Sequence, residues 1–429
     1  MVLSDRVAAT TGRYVVVMSD EVHGDQAAIA EALRSVAGVT SIASTTDFEA
    51  SALDVGQARM ADATVFAELG AAVVAADPDQ AASMSAAAVQ DSRILAIEPE
   101  RILYAISDSA PLSVDFLRGY RAAVIHLYQE ATGGLGETAL EVAARFADTP
   151  GFTWGLQATG VSASSCSGQG VSVAVLDTGF DLGHADFAGR GITVQSFVPG
   201  EPPQDGHGHG THCVGTSCGP VSPSGTRRYG IGYEGNIFVG KVLSNQGSGP
   251  DSNILAGMSW AVANGCRVIS MSLGADIRTV SQAYEAVGRR ALDAGTLIVA
   301  AAGNNANRRF GDPGFVGIPA NSPSIMAVAA VDSGMDIAVF SAQSTSVSGG
   351  QIDIAGPGVA VYSSWPVPKQ YNTISGTSMA TPHVAGIAAL WSQATGAIGA
   401  ALWSTVVQAA RRMSLPSIDV GAGLVQAPQ

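Results

Sequence analysis

The spacing of apolar and polar positions divides the chain into stretches of different character. Near the start, RYVVVM at 13–18 reads as a strand, and DQAAIAEALRSVAG at 25–38 reads as a helix ending at a glycine. Further strands are predicted at GVTSIAS (38–44), AAVVAA (71–76) and RILAIEP (93–99), with a helix over DPDQAASMSAAAV (77–89). Together these predict a small mixed α/β unit of about 100 residues. A connector follows at 111–153, where Leu117, Tyr120, Val124, Leu127 and Ala131 recur at helical spacing, and ETALEVAARFA (137–147) predicts a second helix.

From about 154 onward, long apolar runs alternate with helical stretches. The runs are VSVAVLD (171–177), IFVGKVL (237–243), RVISMSLG (267–274), TLIVAAAG (296–303) and IMAVAAV (325–331); helices are predicted at 253–265 and 281–295. Near-continuous apolar strands separated by helices predict a largely parallel sheet covered on both faces. In such sheets chemistry collects at the carboxyl ends of the strands.

Composition narrows the function. The 429 residues are 47% hydrophobic and 14% charged, which argues against disorder and against a coiled coil. A formal net charge of −14 gives no attraction to nucleic acid or an anionic bilayer. Residues 1–110 hold 16 Asp plus Glu against 6 Arg, so the acidity is concentrated there and a boundary is expected near 110. No apolar run reaches the length of a membrane span, and the first residues carry no export signal. An extracellular protein is expected, a cytoplasmic one being the alternative. Four cysteines allow up to two disulfides; Cys166 with Cys266 is one candidate pair.

Candidate chemistry gathers at strand ends. Asp177 closes VSVAVLD, Ser272-Leu273-Gly274 closes the 267–274 run, and Gly303-Asn304-Asn305 follows 296–302. GHGHGTHC at 206–213 crowds three histidines and a cysteine together, a spacing that by itself fits either a metal site or a catalytic histidine. In ISGTSMATPHVAGIAALW (374–391), Ser378 stands among small residues at the start of an apolar helix, where unpaired backbone N–H groups favour negative charge. A serine oxygen becomes nucleophilic when a histidine accepts its proton, and that histidine needs a carboxylate to orient it. Asp177, a histidine within 207–212 and Ser378 supply those three types. Asp181, Asp186 and Asp205 read as turn or surface acids.

These motifs resemble the subtilisin family of serine peptidases. VAVLDTG, GHGTHCVG and SGTSMATPHVAG are similar to the family's signatures, and HGTHC resembles its proteinase K branch. The resemblance implies an α/β, three-layer fold with a mostly parallel central sheet over 154–429. It implies Asp177, His209 and Ser378 as the triad, with Asn304 as an oxyanion donor beside the Ser378 backbone N–H. Substrate would pair with Ser272, Leu273 and Gly274, and Ala301, Ala302, Gly303 and Asn305 would border the first specificity pocket, leaving room for an apolar or aromatic side chain. Residues 1–110 resemble the family's inhibitory propeptide, a small ferredoxin-like α+β unit, with 97–105 leading a tail into the cleft.

The resemblance also implies Cys213 as a buried free thiol, no cofactor for the chemistry, and structural calcium without an identifiable motif. The expected partners of this monomer are polypeptide substrates and its own N-terminal domain, with no nucleic acid and no membrane. The implied activity is broad endoproteolysis through an acyl-enzyme by a self-processed proenzyme. A narrow processing peptidase and a non-catalytic peptide-binding scaffold are the alternatives.

Overall fold

The structure is a computed structural model that describes residues 9–106 and 145–429. The helix expected in 111–131 and most of that at 137–147 lie outside these residues; 145–147 are not helical. Among the described residues no single helix is long and apolar enough to cross a membrane.

The N-terminal segment folds as β1 (Thr10–Met18), α1 (Gln26–Ala37), β2 (Ile42–Ser44), β3 (Ala63–Phe66), β4 (Ala71–Ala75), α2 (Pro78–Ala88) and β5 (Ile94–Ala105). The strand order is β5-β1-β4-β3-β2, with β1 antiparallel to β4 and β5 and only β2 parallel to its neighbour. Local signals set the helix ends. Asp25 caps α1 through the N–H groups of Ala27 and Ala28, Gly38 ends it at φ 66°, and Asp77 with Gln80 forms a capping box on α2. The strand period of two then sorts β1: Val16 and Met18 join Ile29, Leu33 and Met84 under the two helices, whereas Val15 and Val17 share a second core with Phe66, Val73, Trp260 and Tyr284. The sheet is therefore buried on both faces, one of them by the rest of the chain.

The C-terminal body is built on a parallel sheet in the order β14-β13-β12-β10-β6-β8-β7. Its strands are β6 (Ser172–Asp177), β7 (Ile192–Ser196), β8 (Asn236–Lys241), β10 (Val268–Met271), β12 (Leu297–Ala301), β13 (Met326–Val331) and β14 (Ile354–Pro357). Two short edge segments, β9 (Ser248–Pro250) and β11 (Leu273–Gly274), stand apart, and β15 (Val361–Ser364) pairs with β16 (Tyr371–Ile374). The helices are α3 (His209–Cys218), α4 (Asp251–Ala263), α5 (Gln282–Asp293), α6 (Thr377–Thr395) and α7 (Gly399–Gln408). Val173 and Val175 of β6 pack in one core with Val214 of α3 and Val384 of α6, while Ala174 and Leu176 belong to the core shared with α4 and α5. A parallel sheet between two helical layers results, as apolar runs without alternation require.

Strand β5 links the two parts. It pairs antiparallel with β1 through Ala96–Pro99, then with β9 through Ile102–Tyr104 and with β11 through Tyr104 and Ala105. The candidate Cys166–Cys266 bridge is not formed: all four cysteines are free thiols, and Cys266, just before β10, is fully buried while Cys166 lies nearer the surface.

Candidate active site

Three strand or helix ends converge on one point. β6 delivers Asp177, fully buried, and the chain must then turn sharply. Gly179 takes φ 106°, and a Cβ there would lie 2.3 Å from the Pro203 carbonyl oxygen. The resulting turn receives α3 closely, since a Cβ on Gly210 would lie 2.2 Å from the Gly179 carbonyl oxygen. That approach brings His209, the first residue of α3, against Asp177, with Nδ1 at 2.8 and 3.0 Å from the two carboxylate oxygens.

The N-terminus of α3 has no side-chain cap of its own, because Gly208 occupies that position. Asp205 supplies the cap instead. Its Oδ1 accepts from the His207 and Gly208 N–H groups and from Thr178 Oγ1, and its Oδ2 accepts from Thr211 N–H and Oγ1, all at 2.7–2.9 Å. The surface-acid reading of Asp205 is thus corrected. It is buried, and it ties the Asp177 turn to the His209 helix. Lys241, at the end of β8 and also fully buried, donates to the Thr178 carbonyl at 2.6 Å and to Asn245 at 2.9 Å.

Burial disfavours a charged His209, but Asp177's charge and hydrogen bond outweigh it and hold the ring well above the usual histidine range. Burial keeps the neighbouring Cys213 thiol protonated, its Sγ 3.9 Å from Nδ1 and 3.6 Å from the Ser378 carbonyl oxygen. Asp177, His209 and Cys213 can place ligand atoms within 4.8 Å of one another, the geometry a metal would need. With Nδ1 hydrogen-bonded to both oxygens of Asp177, the contact is that of a carboxylate orienting an imidazole. His212 faces elsewhere, bonding the Val361 carbonyl at 3.0 Å, and burial lowers it to about 3.

Ser378 sits in the first turn of α6, fully buried. Its hydroxyl donates to the Ser272 carbonyl at 3.0 Å and also contacts the Ile106 carbonyl oxygen, while Ser272 Oγ donates to the Ser378 carbonyl at 2.8 Å. His209 Nε2 has no hydrogen-bond partner among the described residues. Asn304 Nδ2 donates to the same Ile106 oxygen at 3.3 Å. Its orientation is fixed from behind, because Oδ1 accepts from Thr377 N–H at 3.0 Å and Oγ1 at 2.9 Å, so the amide NH₂ must turn toward the cleft. Thr377 was not among the sequence candidates; its signal is only its place before the serine.

Ile106 thus ends a strand laid through the cleft. Leu273 and Gly274 flank this strand on one side and Ser248 and Gly249 on the other, with Ala105 N–H donating to Gly247 and Ile106 N–H donating to Ser272. Leu103 is fully buried and Tyr104 half exposed. The Ile106 side chain lies over Gly274, where a Cβ would stand 2.8 Å from its Cδ1. Ala301 and Ala302 are buried at the end of β12. Asn305 turns its amide to the Phe315 carbonyl and to Asp276, both at 2.9 Å. The edge at 247–249 gives no strand signal in the sequence, because QGSGP (246–250) carries no apolar pattern.

Residues 168–423 match the model of the Subtilase family of S8 peptidases. Subtilisin E of Bacillus subtilis is 40% identical over 237 residues, which is 55% of this chain and 58% of that protein, so the match spans little more than half of it. A subtilisin of Bacillus pumilus is 40% identical over 237 residues and 81% of its length. The M-protease of Shouchella clausii is 41% identical over 244 residues, 56% of this chain and 59% of that protein.

Proposed function

The chain belongs to the subtilase family, the subtilisin-like serine endopeptidases, and from that premise we propose that it is made as a proenzyme which cuts itself after Ile106. The observation that carries the reading is the Ile106 carbonyl, held between the Asn304 amide and the Ser378 hydroxyl at the end of a strand paired on both sides. In the deprotonated ring, with Nδ1–H given to Asp177, Nε2 of His209 is the basic nitrogen that takes the Ser378 proton as the oxygen attacks, and the raised proton affinity that Asp177 confers favours the imidazolium so formed. The oxyanion falls to the Asn304 amide and the Ser378 backbone N–H. The leaving amine takes the proton from His209, and water then releases the acyl group by the reverse sequence. No step draws on a cofactor.

Residues 1–110 act as the propeptide and inhibitor, 111–153 as connector, and 154–429 as the catalytic domain. The order β5-β1-β4-β3 with two helices on one face supports a ferredoxin-like unit carrying β2 as an extra edge strand. Substrates add as strands between 247–249 and 273–274, recognised mainly through the backbone, with apolar side chains at the Ile106 and Leu103 positions.

Incubation of the full chain followed by intact mass and N-terminal sequencing tests this. A new terminus at Ser107, absent from Ser378→Ala, is the expected result, together with labelling of Ser378 by a serine-directed phosphonate. A wild-type chain that stays whole, takes no label and leaves unfolded casein intact would end the proposal.

A further inference from the structure

His207 takes no part in the chemistry above, yet its ring is placed over substrate. Its backbone N–H is fixed by Asp205, its ring centroid is 6.2 Å from that of His209, and its ring nitrogens make no hydrogen bond among the described residues. The ring borders Gly247. A Cβ built there would lie 3.1 Å from His207 Nε2 and 3.8 Å from the Ala105 Cβ, so those two atoms are no more than about 7 Å apart. The Ala105 N–H bond to the Gly247 carbonyl, at 2.8 Å, holds that spacing for any residue in the Ala105 position, the second before the cut. In the chain's own tail that residue is alanine, whose methyl stops short of the ring. A glutamate there carries its carboxylate across the gap to Nε2.

Resting on the endopeptidase reading, we propose that His207 selects the side chain two residues before the cut, favouring a carboxylate while its imidazole is protonated. Partial burial, with His209 and Lys241 acting in the same direction, holds the ring below the usual histidine value, while Asp177 and Asp205 face it and favour its charge, so the carboxylate preference belongs to the acidic side of its titration. Asp205 is fully engaged by Thr178, Thr211 and backbone N–H groups, and Asp177 by His209, which leaves the exposed imidazole edge for a substrate anion. Exposed pairs of this kind are worth a factor of roughly 2–5.

The test uses processed enzyme and quenched peptides that continue the tail sequence, Ile-Leu-Tyr-X-Ile-Ser-Asp-Ser, with X as Ala, Gln or Glu. The Glu-to-Gln ratio of kcat/KM cancels the titration of His209 common to both peptides. We expect that ratio to be about 3 at pH 5.5 and near 1 at pH 8.5. His207→Asn should flatten it, and His207→Lys should keep it high at both values. An identical pH course in wild type and His207→Asn overturns the inference while leaving endoproteolysis intact. Failure to cut even the Ala peptide overturns both.

Discussion

Replacing Glu100 by glutamine should loosen the hold of the N-terminal unit on the cleft by a calculable amount. The Glu100 side chain is fully buried, and its Oε1 accepts from the Ser252 N–H at 2.9 Å, in the first turn of α4. Arg13 contributes two further bonds at 2.8 and 2.9 Å and Thr11 another, but these donors belong to the same N-terminal unit as Glu100. What crosses to the catalytic body is one charge-assisted bond and the attraction of a carboxylate to a helix N-terminus, together about 2 kcal/mol. At 1.4 kcal/mol per tenfold, inhibition by the cleaved unit should weaken by roughly 30-fold. Glu98 makes the equivalent test on α5, where it accepts from Gln282 N–H and Ser281 Oγ at 2.6 Å, and Glu98→Gln should behave likewise. The assay is the inhibition constant of the separated N-terminal unit against processed enzyme, with circular dichroism to confirm that each variant is folded. A folded Glu100→Gln unit that inhibits within twofold of wild type would refute the capping argument.

Asn304→Leu should lower kcat by about 10²–10³ with KM little changed, the span known for a side-chain oxyanion donor, as measured by peptide hydrolysis. Thr377→Val removes the hydroxyl that orients Asn304 and should cost about fivefold in kcat, while Thr377→Ser restores most of it. Burial raises Asp251 to about 7 in the assembled state, with Glu100's charge acting in the same direction against the Arg101 N–H and Tyr284 hydroxyl bonds. The assembled form therefore keeps a proton that an exposed aspartate releases near pH 4, so inhibition should weaken as pH rises from about 4 to 7, by at most tenfold per unit. Asp251→Asn should flatten that profile; an unchanged slope would mean Asp251 stays buried when the unit leaves.

The chemistry was legible because each candidate stands where an apolar run stops. Asp177 ends β6, Asn304 follows β12, and Ser378 stands in the first turn of α6. The buried strands were legible for the same reason, lacking the alternation that a solvated face imposes. What escaped depends on partners distant in sequence. Asp205 looks like a surface acid until Thr178, 27 residues earlier, is brought beside it. The strand predicted at 93–99 runs on to 105 because Glu98, Glu100 and Arg101, which break its apolar pattern, are stabilised by helix ends and polar groups of the catalytic body. Strand β7 shows too little apolar sequence, and Gly356 and Pro357 mark β14 as a turn by residue type alone.

Strand β5 explains how one segment serves two sheets. Its pairing with β1 shifts register between the Tyr14–Pro99 and Thr10–Arg101 partners, and proline, which cannot donate to a ladder, falls at that irregularity. Glu98 and Glu100 flank Pro99 and, two residues apart, share one strand face, so a single face meets the starts of both α4 and α5. Beyond that point the backbone is free to join β9 and β11, which hold Ile102–Ala105 at the depth that sets the Ile106 carbonyl against Asn304. The carboxylate caps therefore fix the axial position of the tail, and the edge strands fix its register. Removing either cap should first slide or loosen the tail, and self-cleavage after Ile106 should slow alongside the loss of inhibition. If instead the cut stays fast while inhibition falls, positioning rests on the edge strands alone.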